Sequence, residues 1–173
     1  MALIELDKPP TSPGIGTIPT APPAIEGAIL KSSLATISGW GKSTANPDTL
    51  SDALLYGTVK ITPDKLCASS YGKATDGSAI IQPDMVCANA FPSDACAGDS
   101  GGALVMRGPP AASSQTTPMV QKIDYVEGVV SWGYPAGGCP SKKPTVYSRV
   151  ASAALSDWIS KCLKNEPCPS SIP

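Results

Sequence analysis

The heptapeptide Cys96-Ala97-Gly98-Asp99-Ser100-Gly101-Gly102 sets a serine among glycines, which let a backbone run close to a bound substrate. A serine in that setting suits nucleophilic attack on a carbonyl. The N–H groups of Gly98 and Ser100 can then face the oxyanion that the attack creates. The hydroxyl also needs a base to take its proton, and the 173-residue chain contains no histidine. The most specific motif therefore announces a reaction that these residues do not complete alone. A plain Gly/Ser turn is the competing reading. Against it stands the apolar run Ala103-Leu104-Val105-Met106 that follows at once, and a second run, Val129-Val130-Ser131-Trp132-Gly133, that ends before Cys139.

The elements that must position this serine read as short strands. Leu34 to Trp40, Leu54 to Ile61, Asp84 to Ala88, Ala103 to Met106, Val126 to Trp132 and Thr145 to Val150 are apolar or alternating segments separated by turn residues. Pro9 to Gly27 lacks periodicity and reads as an extended surface connector. Between Arg107 and Thr117 a Gly/Pro/Ala/Ser stretch reads as a lengthened hairpin loop. One helix is expected, over Ala151 to Leu163, where Ala151, Leu155, Trp158, Ile159 and Cys162 recur at helical spacing.

Composition narrows the class to all-β. The 19 prolines and 16 glycines are scattered among short apolar runs, which argues for many turns and short strands. A net charge of −1 gives no electrostatic reason to expect a nucleic acid or an anionic membrane surface, and no apolar run approaches membrane-spanning length. Six cysteines without histidine or Cys-x-x-Cys pairs favour disulfides over zinc, with the pairing left open. Gly41-Lys42-Ser43 imitates the end of a phosphate-binding loop, but Thr36 stands where that loop needs a glycine.

Taken in order, these motifs resemble the chymotrypsin/trypsin-like serine endopeptidases, the peptidase S1 family. The resemblance rests on Gly98-Asp99-Ser100-Gly101-Gly102, Ser131-Trp132-Gly133, Ile37-Ser38-Gly39-Trp40-Gly41, Pro83-Asp84-Met85-Val86-Cys87-Ala88 and Lys143-Pro144-Thr145-Val146-Tyr147-Ser148-Arg149-Val150. The last leads into Ala153-Ala154-Leu155-Ser156-Asp157-Trp158-Ile159. The family implies an antiparallel Greek-key β-barrel, the C-terminal barrel of a two-barrel protease, with a C-terminal α-helix. On that expectation residues 1–30 are the remnant of a first-barrel strand and the inter-barrel connector, 31–150 the barrel, and 151–173 the helix and tail. Met1 to Leu6 resembles the strand that follows the catalytic aspartate in relatives, so that Asp and the histidine are expected upstream.

The same resemblance assigns roles. Ser100 is the expected nucleophile, and the N–H groups of Gly98 and Ser100 form the oxyanion hole. Ser131, Trp132 and Gly133 offer a strand edge to the substrate backbone. Asp94 matches the pocket-floor position that makes relatives select Lys or Arg, with a solvated turn aspartate as its bland alternative. Thr145 stands where deep-pocketed relatives have glycine, so these two residues point in different directions. Asp99 is the expected partner of an N-terminal amine released on activation. The family framework pairs Cys67 with Cys87 and Cys96 with Cys139, leaving Cys162 and Cys168 for each other by elimination and short separation. No cofactor or metal is implied. Expected partners are protein or peptide substrates and the first barrel of the same protein, with no nucleic acid and no membrane, in an extracellular, oxidising setting. A protease homologue that binds peptides without catalysis is the alternative.

Overall fold

The computed structural model describes residues 1–31, 34–43, 47–89, 93–110, 122–133, 139 and 141–164. Its strands are β1 (Leu34–Gly39), β2 (Leu55–Thr62), β3 (Met85–Asn89), β4 (Ala103–Gly108), β5 (Ile123–Trp132) and β6 (Thr145–Arg149). The spatial order β1-β2-β3-β6-β5-β4 closes on itself, because β1 pairs antiparallel with β2 along its length and with β4 at Thr36 and Ile37. Closure removes the unpaired edges that an open sheet of such short strands would expose. The architecture is the antiparallel barrel expected from the sequence.

Alternation decides which side chains fill the barrel. β1 turns Ala35 and Ile37 inward, and β2 buries Val59 and Ile61 while Thr58 and Lys60 face out. Leu104 and Met106 of β4, Val86 of β3 and Tyr147 of β6 complete the centre. β6 is covered on both faces: Tyr147 points into the barrel, and Val146 packs in a second small cluster with Cys67 and Cys87. Cys67 is joined to Cys87, with Cα atoms 6.2 Å apart.

Among the described residues three helices attach to the barrel: α1 (Pro23–Leu30), α2 (Asp64–Tyr71) and α3 (Ala153–Leu163). Two of them correct the sequence reading. The expected connector ends in α1, because Pro23 occupies the first helical position, where its missing N–H is not needed and its fixed φ already fits. Ile29 of α1 is fully buried and packs where Gly108 leaves room, since a Cβ at Gly108 would meet Ile29 Cγ1 at 2.5 Å. α2 buries only Cys67, so it carries no apolar stripe by which periodicity reveals a helix. α3 begins two residues later than expected, at a Ser152 cap whose side chain accepts the Leu155 N–H, and it buries Leu155 and Ile159.

Met1 to Leu6, expected as a strand, is not one. No strand of this barrel pairs with the segment, and an isolated strand has no ladder to stabilise it. Most of the expected hairpin loop lies at 111–121, outside the described residues, as do 134–138 and Cys168. Cys162 lies on α3.

Leu104→Ala, at a side chain with no exposed surface, is expected to cost about 2 to 5 kcal/mol in chemical denaturation, through lost burial and the cavity left behind. Leu66→Ala, on the exposed side of α2, is expected to stay within about 0.5 kcal/mol. Equal losses at the two sites would contradict this inside–outside assignment.

Candidate active site

The loop carrying Ser100 runs directly into β4 and is bonded to β5. The Gly101 N–H donates to the Val130 carbonyl and the Val130 N–H to the Gly102 carbonyl, both at 2.9 Å. Gly98 and Gly101 hold φ values of +100° and +85°, in the left-handed region that favours glycine. Leu50 closes over Gly98, where a Cβ would meet Leu50 Cδ2 at 2.5 Å. Gly98 and Ser100 are exposed, and no hydrogen bond engages either N–H among the described residues.

Asp99 points the opposite way from Ser100. Its Oδ1 accepts the Gly41 N–H at 2.8 Å, and its Oδ2 accepts the Cys96 N–H at 2.9 Å. The Lys42 N–H donates to the Ala97 carbonyl at 2.9 Å, a further bond between the β1–β2 connection and this loop. Cys96 is joined to Cys139 with Cα atoms 5.8 Å apart, so the loop is tied covalently to the segment preceding β6.

Two adjoining cavities meet here. One of about 370 Å³ is lined by Ser100, Ala97, Ser131, Trp132, Gly133, Ser141 and Thr145 among others. It brings the expected nucleophile beside the expected strand edge, with Ser131 exposed at the end of β5. No histidine or carboxylate lines it among the described residues. The other, of about 140 Å³, is lined by Asp99, Asp94, Ile37, Leu55, Tyr56 and Ser93 with their neighbours. No cation pairs with Asp99 among the described residues.

Asp94 sits between these spaces. Its Oδ1 accepts the Ala95 N–H at 2.9 Å and the Thr145 hydroxyl at 2.8 Å, and its Oδ2 accepts the Ser141 N–H at 3.2 Å. Burial pushes its carboxyl above the ordinary aspartate range, against the three donors, which favour the ionised form. Asp94 does not line the cavity of Ser100, whereas Thr145 and Ser141 do. Thr145 thus stands between that cavity and the acid and is bonded to it.

The sequence reading gave no role to three neighbours of the site. Tyr71 ends α2, donates its hydroxyl to the Pro144 carbonyl at 2.5 Å and meets the Trp132 ring edge-on, with centroids 4.9 Å apart. Lys143 Nζ lies 5.1 Å from the centroid of the Tyr71 ring. Tyr147 is fully buried, and its hydroxyl has no hydrogen-bond partner among the described residues. Burial first, then the charges of Asp94 and Asp99, hold its phenol well above the usual range. Tyr147 lay in a recognised motif, but Tyr71 gave no signal because its helix did not.

A closed antiparallel barrel carrying Gly-Asp-Ser-Gly-Gly on a glycine-rich loop beside a Ser-Trp-Gly edge defines the class of serine proteases with β-barrel domains. The family model for trypsin matches residues 1–159, and the chain belongs to the trypsin family, whose members are serine endopeptidases. It is 38% identical over 127 residues to trypsin beta of Drosophila erecta, covering 72% of this chain and 40% of that protein. It is 37% identical over 126 residues to the hepatocyte growth factor activator serine protease of Mus musculus, covering 71% of this chain and 16% of that protein. The chain thus spans less than half the length of these relatives. Among solved structures it resembles neuropsin, a serine protease of mouse brain, with a TM-score of 0.56 and 29% identity, covering 76% of this chain and 48% of that one.

Gly41→Ala tests the seat of Asp99, because a Cβ there would meet the carboxylate carbon and both of its oxygens at 2.5 Å. The variant is expected to lose about 1 to 3 kcal/mol and to lower hydrogen-exchange protection of the Cys96 and Lys42 amides. Gly27→Ala, in α1 with nothing within 4 Å of the added Cβ, is expected to gain about 0.5 to 1 kcal/mol. A Gly41→Ala protein with unchanged protection of these amides would show that the Asp99 contacts do not hold the loop.

Proposed function

We propose that this chain is the nucleophile-bearing half of a trypsin-like endopeptidase that cleaves protein or peptide substrates after Lys or Arg. The observation that carries the reading is the placement of Ser100 beside the Ser131–Gly133 edge in one cavity, with the Gly98 and Ser100 N–H groups unengaged among the described residues. Ser100 Oγ would form the bond to the scissile carbonyl carbon, and its proton would pass through a histidine to the leaving amine. Water then hydrolyses the acyl-enzyme. The oxyanion donors contribute about 3 to 4 kcal/mol each in related chemistry. The chain has no histidine, so the base and its aspartate are assigned to a first barrel supplied from outside these residues.

The cavity at Asp99 suits an N-terminal amine with an apolar first side chain, since Ile37 and Leu55 line it together with the Asp99 side chain. Such an ion pair would hold the Ser100 loop by occupying the face of Asp99 not bonded to Gly41 and Cys96. Asp94 supports selection of a basic side chain, and Thr145 modulates it by covering the acid from the substrate side. Disulfides joining described cysteines, and the absence among those residues of a helix long and apolar enough to cross a membrane, agree with an extracellular setting.

The chain alone is expected to hydrolyse peptide esters no faster than its Ser100→Ala variant. Paired with a first barrel carrying the histidine and aspartate, it is expected to cleave after Lys and Arg with full dependence on Ser100. A paired protein that binds peptides but never turns over would favour the non-catalytic reading, which rests on the missing histidine.

Within the active pair, Thr145→Gly uncovers Asp94 and is expected to raise kcat/KM for Lys and Arg substrates by about tenfold, a change of roughly 1.4 kcal/mol. A wild-type preference for small apolar residues, unaltered by Thr145→Gly, would remove Asp94 from the specificity assignment.

A further inference from the structure

Away from the cavity of Ser100 lies a set of charged groups that the peptidase reading does not use, with Arg149 and Glu127 buried, Glu26 partly buried and Asp64 exposed. Arg149 of β6 is almost enclosed and donates in three directions. Its Nη1 reaches Glu26 Oε1 of α1 at 2.9 Å, its Nη2 reaches Asp64 Oδ1 of α2 at 2.5 Å, and its Nε reaches the Met85 carbonyl of β3 at 2.9 Å. Glu127 of β5 lies beside this set with no exposed surface, facing the Glu26 carboxylate. Neither Glu127 oxygen accepts a hydrogen bond among the described residues. The charged groups that act on Glu127 are Glu26 and Arg149, with Asp64 beyond, on the far side of the guanidinium.

One guanidinium does not satisfy this set of carboxylates. Three of its five N–H groups are donated to Glu26, Asp64 and Met85, and none bonds Glu127 among the described residues, so an ionised Glu127 would be a buried anion without a donor, against another anion. A protonated Glu127 removes both problems: its O–H becomes a donor, and the acceptor facing it is Glu26. Two carboxyl groups sharing one site hold one proton between them for the same reason.

We propose that Glu26, Glu127 and Arg149 form a proton-operated latch that clamps α1 onto the barrel, closed while Glu127 carries its proton and loosened when the proton leaves. The attachment of α1 is otherwise slender, which makes the latch consequential. Among the described residues, buried Ala21 and Ile29 with partly buried Ile25 and Leu30 pack the segment against the core, and the paired bonds Ala21 N–H to Val126 carbonyl and Val126 N–H to Pro19 carbonyl, each 2.9 Å, hold its backbone. Val126 is the residue beside Glu127, so charge on Glu127 acts at the strand position where the segment leading to α1 is attached.

Burial first, and then the Glu26 charge, pushes the Glu127 carboxyl from its ordinary 4.5 up to about 8, with Arg149 opposing. A carboxyl whose value is raised by folding stabilises the folded state fully below the unfolded value. That stabilisation is lost as pH rises from about 4.5 through about 8. The latch therefore holds most strongly in acid solution, weakens steadily through neutrality and contributes nothing above about pH 8.

Hydrogen exchange of the α1 amides, corrected for the intrinsic pH dependence of exchange, reads the latch directly. Wild-type protection is expected to fall by at least about tenfold between about pH 6 and about pH 8 and to change little more up to about pH 9.5. Glu127→Gln keeps a neutral donor facing Glu26, and its α1 protection is expected to match the acid value of the wild type at each of these pH values. An infrared titration of the wild type needs no variant: a carboxylic C=O band is expected to persist above about pH 6.5 and to disappear around pH 8, where α1 protection reaches its floor. Glu26→Gln is expected to move that disappearance to lower pH, because the like charge is gone. Equal pH-dependent loss in wild type and Glu127→Gln, or the absence of any such band above about pH 6.5, would overturn the proposal.

Discussion

The carboxylate of Asp99 holds together parts of the chain that are far apart in sequence. It accepts N–H bonds from Gly41, 58 residues upstream, and from Cys96 in its own loop, and the backbones of Gly39 and Gly41 come close enough to leave no room for a Cβ. Hydrogen bonds to a charged acceptor are worth about 1.5 to 3 kcal/mol each, so the pair is strong enough to fix a glycine-rich loop that has little side-chain packing of its own. Everything at the site inherits its position from that seat. With Asp99 turned inward, Ser100 faces the outer cavity, Gly98 packs beneath Leu50, and Gly101 reaches Val130.

β5 carries the consequences of this arrangement along the barrel. At one end Val130 bonds the Ser100 loop, and Ser131 and Trp132 form the wall of the cavity. A few residues earlier the same strand carries Glu127 and the backbone partner of Ala21. The barrel therefore places a loop held by one carboxylate and a helix restrained by a shared proton on a single strand. These two polar devices differ in kind. Asp99 is satisfied by backbone donors, which cannot dissociate, whereas Glu127 depends on keeping a proton of its own.

The Ser100 cavity shows a similar division between shape and charge. Trp132, Tyr71 and the Cys67–Cys87 cluster give its side a packed, largely apolar support. Asp94, Thr145 and Tyr147 put buried polar groups behind its floor. Thr145 belongs to both, since its hydroxyl binds the acid while it lines the cavity.

Much of the barrel was legible in the sequence because local chemistry determines it. Alternation in Ala35/Ile37 and Val59/Ile61 fixes an inward face for each strand, and the glycines around Ser100 are required by a backbone that no other residue adopts easily. Motif order along the chain carried the family and, with it, the expected site. α1 was hidden because its prolines sit before and at its first position, where they start a helix instead of breaking one. α2 was hidden because a helix that buries one cysteine has no periodic stripe to read. Glu127 and Arg149 read as ordinary residues of two strands, and only β5–β6 pairing with α1 and α2 packed alongside makes them a buried cluster. Local sequence determines which way a side chain points along its own element. What it points at, and whether its charge finds a partner there, is decided only when distant elements meet, because burial and Coulomb energy depend on separation in space and not along the chain.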